Sequence, residues 1–438
     1  MPLRSRLEQY FQFQKLDATW RTEILAGFTT FITMAYIVFV NPSILHETGM
    51  PLAAVTAATC ISAAAGSFLM GGLANYPIAL APGMGLNAYF TYSVVKGMGV
   101  PWQVALGAVF ISGVAFLLLT LLGIRQLILG AIPGELYAAV AAGVGLFIAL
   151  IGFHNSGIIV ASPTTVVTLG KLSEPATALA LFGLLLIATL LAWRVRAAML
   201  IGILATTAIG LVTGVAKWTP QTYRLADLSA TAGKLDIPGA LKIGLLEIVF
   251  VFLFIDLFDN IGTLVAVGKK ANLFTQAHEI PRINRILFSD SIATVIGSLT
   301  GTSTVVSYIE SAAGVAAGGR TGVTAIVTGL LFVAALFVAP VVGAIPAAAT
   351  APALIVVGSM MASVMGEIAW HDPEVAVPAF LTIMTIPLSF SIANGLAFGF
   401  TAYSLIKILR GRFREVNWFV YLLTALFIAR FVYLAEGG

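Results

Sequence analysis

Charge and cysteine are what this sequence has least of. Only 10% of its 438 residues are Asp, Glu, Lys or Arg, against about 25% in soluble domains, so a soluble globular chain is excluded. The single cysteine, Cys60, lies inside an apolar run. Neither an intramolecular disulfide nor a thiolate metal cluster can form, and Cys60 is expected to be a small packing residue. The four histidines, His46, His154, His278 and His371, fall at segment ends or in loops, and no two stand at metal-ligand spacing. No GxxxxGK[ST] run is present, which removes the usual phosphate cradle of an ATP-driven machine. No cofactor and no metal are expected. Residues 1–21 mix Arg4, Arg6, Lys15 and Arg21 with Leu3, Leu7, Tyr10, Phe11 and Phe13. They lack an apolar h-region, so a cytoplasmic or interfacial segment is expected in place of a cleaved signal peptide.

Apolar residues make up 59% of the chain, and the mean hydropathy is +1.00. The apolar runs are about 20 residues long, the length of a membrane-crossing helix, and show none of the alternation of an outer-membrane barrel. The chain therefore reads as an all-α polytopic membrane protein. Segments are expected near 22–45, 53–74, 77–95, 102–123, 136–153, 176–193, 198–216, 241–267, 286–300, 302–316, 321–343, 346–366, 374–391 and 393–409, fourteen in all. A further stretch, 416–435, carries Arg430 with Trp418, Tyr421 and Tyr433 and suits either a span or the interface.

With the N-terminus in the cytoplasm, fourteen spans put sixteen basic residues inside: Arg4 to Arg21, Arg125, Arg194, Arg196, Lys269, Lys270, Arg282, Arg285, Arg320 and the Lys407 to Arg414 group. Lys96, Lys171, Lys217, Arg224, Lys234 and Lys242 remain outside. This positive-inside bias supports both count and orientation, in a plasma (bacterial inner) membrane. The basic balance then needs no nucleic acid partner.

The long loop at about 217–240 divides the spans into seven and seven, so the second half must run inverted. The third segment of each half is short and rich in small residues: Ala81-Pro82-Gly83-Met84-Gly85-Leu86-Asn87-Ala88-Tyr89, and Gly301-Thr302-Ser303-Thr304-Val305-Val306-Ser307-Tyr308-Ile309-Glu310. Interrupted segments at matching places in two halves point to a transporter site built from broken helices. Glycine also serves plain helix packing in membranes.

Asp256, Asp259 and Glu310 lie in the body of apolar segments, where a charge costs about 2.5–3.5 kcal/mol and usually faces a bundle interior or a watery path. On a helix, Asp256, Asp259 and Thr263 share one face. Asp256 could equally hydrogen-bond within a broken helix, and Asp290, near a segment end, could be a cap. Arg320 reads most simply as a cytoplasmic anchor. Low-dielectric surroundings disfavour the charged carboxylate, which makes proton exchange a natural means of coupling.

At these residues the sequence resembles the nucleobase:cation symporters of the nucleobase–ascorbate superfamily, in the branch of purine permeases for adenine, guanine and hypoxanthine. The resemblance runs from Thr22 to Arg410. It is carried by Met34-Ala35-Tyr36-Ile37-Val38-Phe39-Val40-Asn41-Pro42, Ala81 to Ala88, Leu257-Phe258-Asp259-Asn260-Ile261-Gly262-Thr263, Gly301-Thr302-Ser303 and Tyr308-Ile309-Glu310-Ser311-Ala312-Ala313-Gly314. It implies a 7+7 inverted repeat. Spans 1–4 (22–123) and 8–11 (241–343) would form a core domain, and spans 5–7 (136–216) and 12–14 (346–409) a gate domain that the core moves against like an elevator.

The resemblance also implies that the base sits between the third and tenth spans. Glu310, Asp259, Asn87, Thr263, Gly83, Thr302 and Ser303 would bind it, and Asp259, Glu310 and Asp256 would serve proton coupling. Phe258, Tyr89 or Tyr308 could stack on the ring. Proton symport of purine bases is the expected activity, with a homodimer as one assembly. Guanine and hypoxanthine are favoured because the Ala81–Leu86 and Gly301–Ser303 motifs take the form of oxopurine permeases, and an adenine-preferring permease is the alternative. An anion transporter of the same architecture is disfavoured by two acids in the site, and an enzyme by the absence of a facing catalytic pair.

Overall fold

In the bilayer core each backbone amide must find its partner within the protein, so runs this apolar have to wind into helices. The computed structural model describes residues 3–123, 132–218, 225–242, 246–271 and 281–435. Arg125, Arg224 and His278 lie outside the described residues, as do the side chains of Phe258, Lys269 and Lys270. The first elements are α1 (Leu3–Tyr10), α2 (Trp20–Met34), α3 (Ile37–His46) and α4 (Leu52–Leu69), which widens into a π-helical turn to Ala74. Next come β1 (Leu80–Pro82) and α5 (Met84–Ala88), which runs on as a π-helix over Tyr89–Gly97, then α6 (Trp102–Leu121) and α7 (Gly134–Asn155). A hairpin of β2 (Ile159–Ser162) and β3 (Val166–Leu169) leads to α8 (Pro175–Ala192), α9 (Ala198–Val212) and α10 (Ile237–Ala240).

The remainder comprises α11 (Leu246–Ala271), α12 (Ile283–Thr300), β4 (Val305–Ser307), α13 (Ser311–Ala316), α14 (Gly322–Ala335), α15 (Ala347–Ala362), α16 (Pro373–Ser389), α17 (Ile392–Leu409) and α18 (Trp418–Ala435). Among the described residues, seven helical stretches are long and apolar enough to cross a membrane: Trp20–His46, Leu52–Ala74, Trp102–Leu121, Gly134–Asn155, Pro175–Ala192, Ala347–Glu367 and Ile392–Leu409. The protein is a multi-pass membrane protein. Most of the 416–435 stretch, Trp418–Ala435, is one continuous helix, α18.

The chain divides into two compact units, Met1–Leu121 with Gly152–Ala353, and Leu122–Ile151 with Leu354–Gly438. In the first, α3, α12 and α14 pack around α4, while α12 also meets α6 and α14 meets α2. Small residues permit the approach: a Cβ on Gly71 would stand 2.4 Å from the Gly322 carbonyl oxygen, the close packing that membrane helices use in place of a hydrophobic driving force. Glu23 of α2 is fully buried and caps α14, accepting from the amides of Arg320 (2.8 Å), Thr321 (3.1 Å) and Thr324 (3.2 Å) and from Thr324 Oγ1 (2.6 Å). A buried carboxylate with several donors on it avoids the penalty of an unpaired charge. Arg320 is held locally, its guanidinium donating to the Val315 and Gly319 carbonyls. Cys60 is buried, as its apolar setting predicts.

In the second unit α16 packs on α17 and α18 on α17. A cluster of Ala138, Ala139, Ala142, Ile368, Ala379 and Ile383 joins α7 to that group. Glu374, at the start of α16, is held by Lys407 at 2.6 Å, Arg412 at 3.1 Å and Arg410.

Candidate functional site

The centre of the first unit is a crossing of two segments that leave the helix. Pro82 lacks an amide hydrogen and pushes the residue before it towards extended backbone, so the chain runs as β1 before α5 begins. Gly301, with φ +103°, ends α12 in a conformation suited to glycine and turns the chain towards β4. The two strands pair antiparallel, Leu80 with Ser307, Ala81 with Val306 and Pro82 with Val305. Gly83 N donates to Thr304 O at 2.9 Å and Tyr308 N to Ala79 O at 3.0 Å. Non-helical backbone at this depth is tolerated only because it is satisfied inside the protein. Gly83 permits the approach, since a Cβ there would stand 2.9 Å from Val306 Cγ2.

Most of the expected site residues gather at this crossing. Ser303 Oγ bonds to Asn87 Oδ1, and Asn87 Nδ2 is buried without a partner among the described residues. Glu310 follows β4 and receives the Tyr36 hydroxyl on Oε1 at 2.7 Å. Asp259 of α11 lies within electrostatic reach of Glu310; it is partly exposed, and among the described residues no hydrogen bond forms to its carboxylate. Thr302 accepts from Asn41 Nδ2 at 3.0 Å, and the same amide donates to Thr59 Oγ1 at 2.7 Å. Thr263 is buried but shares no hydrogen bond with these groups.

Asp256 has a different setting from Asp259. It is fully buried, and its Oδ1 accepts from Asn260 Nδ2 at 2.8 Å. The same nitrogen donates to Asp290 Oδ2 at 2.6 Å, while Asn260 Oδ1 accepts from Ser307 N at 2.9 Å. Asn260 therefore ties α11, α12 and β4 together. Because α12 begins at Ile283, Asp290 lies two turns inside it and is buried, rather than capping a segment end. Of the rings offered for stacking, Tyr89 meets Phe252 edge-on at 5.1 Å and Tyr308 donates its hydroxyl to Pro82 O at 2.5 Å.

Tyr36, Asn41 and Asn260 escaped the reading of the sequence as site residues. Tyr36 stands at the two-residue break between α2 and α3, inside a run that helps carry the family resemblance. Asn260 is four residues after Asp256, the spacing of neighbours on one helix face, so that half of its role was visible; its reach to Asp290 and Ser307 is tertiary. Chemically, the crossing presents open acceptors at Asp259 and Glu310 and an open amide donor at Asn87, the inventory for a flat ligand with both donors and acceptors. Among the described residues, no group of three or more His, Cys, Asp or Glu could hold a metal ion.

The chain as a whole resembles known proteins. The model of the permease family matches residues 21–398. A protein of Methanocaldococcus jannaschii named as a permease is 51% identical over 98% of this chain and 99% of its own length. Guanine/hypoxanthine permease PbuG of Bacillus subtilis is 44% identical over 98% of this chain and all of its own. Adenine permease AdeP of Escherichia coli is 43% identical over 98% and 96%. Among solved structures, the transmembrane domain of the cyanobacterial bicarbonate transporter BicA has a TM-score of 0.67 at 15% identity, covering 86% of this chain and 98% of that one. That likeness is one of fold. The chain belongs to the permease family, in its nucleobase:cation symporter group, and is a membrane transporter with purine permeases among its relatives, not an enzyme.

Proposed function

We propose that this protein imports purine bases by proton symport, guanine and hypoxanthine ahead of adenine. The observation that carries the reading is the convergence of Asp259, Glu310 and the Ser303–Asn87 pair on the β1–β4 crossing. A carboxylate accepts two parallel hydrogen bonds from N1–H and the exocyclic amine of guanine, or one from N1–H of hypoxanthine. The Asn87 amide supplies the donor that the base's carbonyl oxygen needs. Glu310 is the main base-binding group, Asp259 its partner and proton carrier, and Asp256 a support. A proton moving down about 100 mV releases about 2.3 kcal/mol, enough for roughly fifty-fold accumulation of a neutral solute.

In the accompanying architecture, fourteen spans form two inverted sevens, with the N-terminus in the cytoplasm. A core of 22–123 and 241–343 carries the base past a gate of 136–216 and 346–409. Pairing of a strand from each half supports this, because inverted copies bring their broken segments together head on.

The test is uptake of labelled guanine, hypoxanthine and adenine into cells lacking their own purine permeases, with and without a protonophore. Oxopurine uptake abolished by the protonophore and by Glu310→Gln is expected. No uptake of any base by correctly inserted protein would sink the reading, and uptake indifferent to the protonophore would remove the coupling. Adenine is the second substrate to assay, since identity to AdeP (43%) and PbuG (44%) is nearly even.

A further inference from the structure

We propose that a recess at one end of the first unit binds the headgroup of an anionic phospholipid. The recess has a volume of about 460 Å3 and lies between Tyr10 of α1, Leu73 beyond α4, Leu121 at the end of α6, and Asn284, Arg285 and Phe288 of α12. None of its lining residues is acidic. Arg285 is exposed and has no acidic partner among the described residues. Arg282, one turn earlier, is spent on neutral groups: its guanidinium lies 5.2 Å from the Tyr76 ring centre and donates to Asn75 O at 3.3 Å. Among the described residues, then, no acidic side chain meets the positive charge of this corner.

The other half of the lining is apolar and opens outward. Leu73 and Leu121 are 42% and 64% exposed, on helices whose composition places them in lipid. Tyr10 is anchored by its hydroxyl to Gly72 O, as tyrosines are at the headgroup level of a membrane. An acidic headgroup at Arg285 with its acyl chains along the leucines satisfies both halves. A soluble phosphate would leave the leucines unused, and a zwitterionic lipid would bring its own cation to Arg285. The inference rests on the proposed orientation, in which this end faces the anionic cytoplasmic leaflet.

The full-length protein in detergent is heated with added phosphatidylglycerol, phosphatidylcholine or glycerol 3-phosphate, and lipid adducts are counted by native mass spectrometry. Phosphatidylglycerol should raise the unfolding temperature and survive as an adduct, with the other two inactive. Arg285→Gln should require about fivefold more phosphatidylglycerol for the same effect, the worth of one arginine at an anionic surface. Arg285→Lys should restore most of the response. Leu121→Ser should weaken it without changing the unfolding temperature in lipid-free detergent. Equal responses of wild type and Arg285→Gln would overturn the proposal, as would protection by phosphatidylcholine or by glycerol 3-phosphate alone. Loss of base uptake with this lipid response intact would strike only the transport reading.

Discussion

Glu310 owes its orientation to Tyr36, whose hydroxyl sits 2.7 Å from Oε1. Removing that hydroxyl leaves the carboxylate free to swing. A hydrogen bond to a charged group contributes about 1.5–3 kcal/mol, so Tyr36→Phe should weaken guanine binding by roughly tenfold or more. Isothermal titration of purified protein measures it, and unchanged affinity would show that Glu310 is held by other means. Asn260 serves two buried carboxylates and one strand amide. Asn260→Ala takes one donor from each carboxylate and the acceptor from the Ser307 amide, and breaking into a buried charged network costs about 3–5 kcal/mol. Its unfolding temperature should fall well below that of Asp259→Asn, which removes a group that no hydrogen bond holds among the described residues; equal losses would contradict the division of roles between the two acids. That division was half legible beforehand. Periodicity puts Asp256 and Asp259 on one face, but the Asp290 that shares the Asn260 amide with Asp256 comes from another helix, and no spacing within α11 announces it.

Interrupted elements were the most legible part of the chain. Pro82 and the small residues around it predict a broken third segment, and the observed strand ends at that proline. The matching interruption at 301–310 follows from glycine and a run of Thr, Ser and Val, residues that favour extended backbone over helix. The β2–β3 hairpin after α7 was not foreseen, because its short strands are exposed and leave no buried face to set an alternating pattern.

Segment α1 offers a pH test at this scale. Glu8 accepts from Trp20 Nε1 at 2.7 Å and from Arg4 Nε at 3.0 Å. The Trp20 indole and then Arg4 hold its carboxyl below the usual value of 4.5. A depressed carboxylate stabilises the folded arrangement above its unfolded value, and that stabilisation is lost as pH falls through the folded one. The difference in tryptophan fluorescence between wild type and Trp20→Phe should therefore change below about pH 4.5. In Glu8→Gln, which keeps an acceptor but cannot ionise, the change should vanish; an identical acid transition would dissociate it from Glu8.

At the scale of the molecule, membrane character and family membership were readable because lipid imposes one rule on the whole chain. The pairing of distant segments, β1 with β4, was approachable only through the proposed repeat. The buried, solitary Cys60 makes orientation measurable. In a Cys60→Ser background, an impermeant maleimide should label Thr164→Cys, on the exposed hairpin turn, in intact cells. Gln14→Cys, on the exposed N-terminal segment, should react only after permeabilisation. The reverse pattern would invert the proposed topology.

The β1–β4 crossing also bears on how the protein is made. Asn87 and Ser303, which meet there, are 216 residues apart. At about 5–20 residues per second, the ribosome needs on the order of 10–40 s to deliver the second strand after the first. During that interval β1 has no partner for its backbone, and the membrane offers no water as a substitute. The nascent first half must therefore be sheltered or held at the insertion machinery until β4 arrives. A chain that terminates after Pro82 and before residue 305 then carries a strand whose partner is never made, a defect independent of transport.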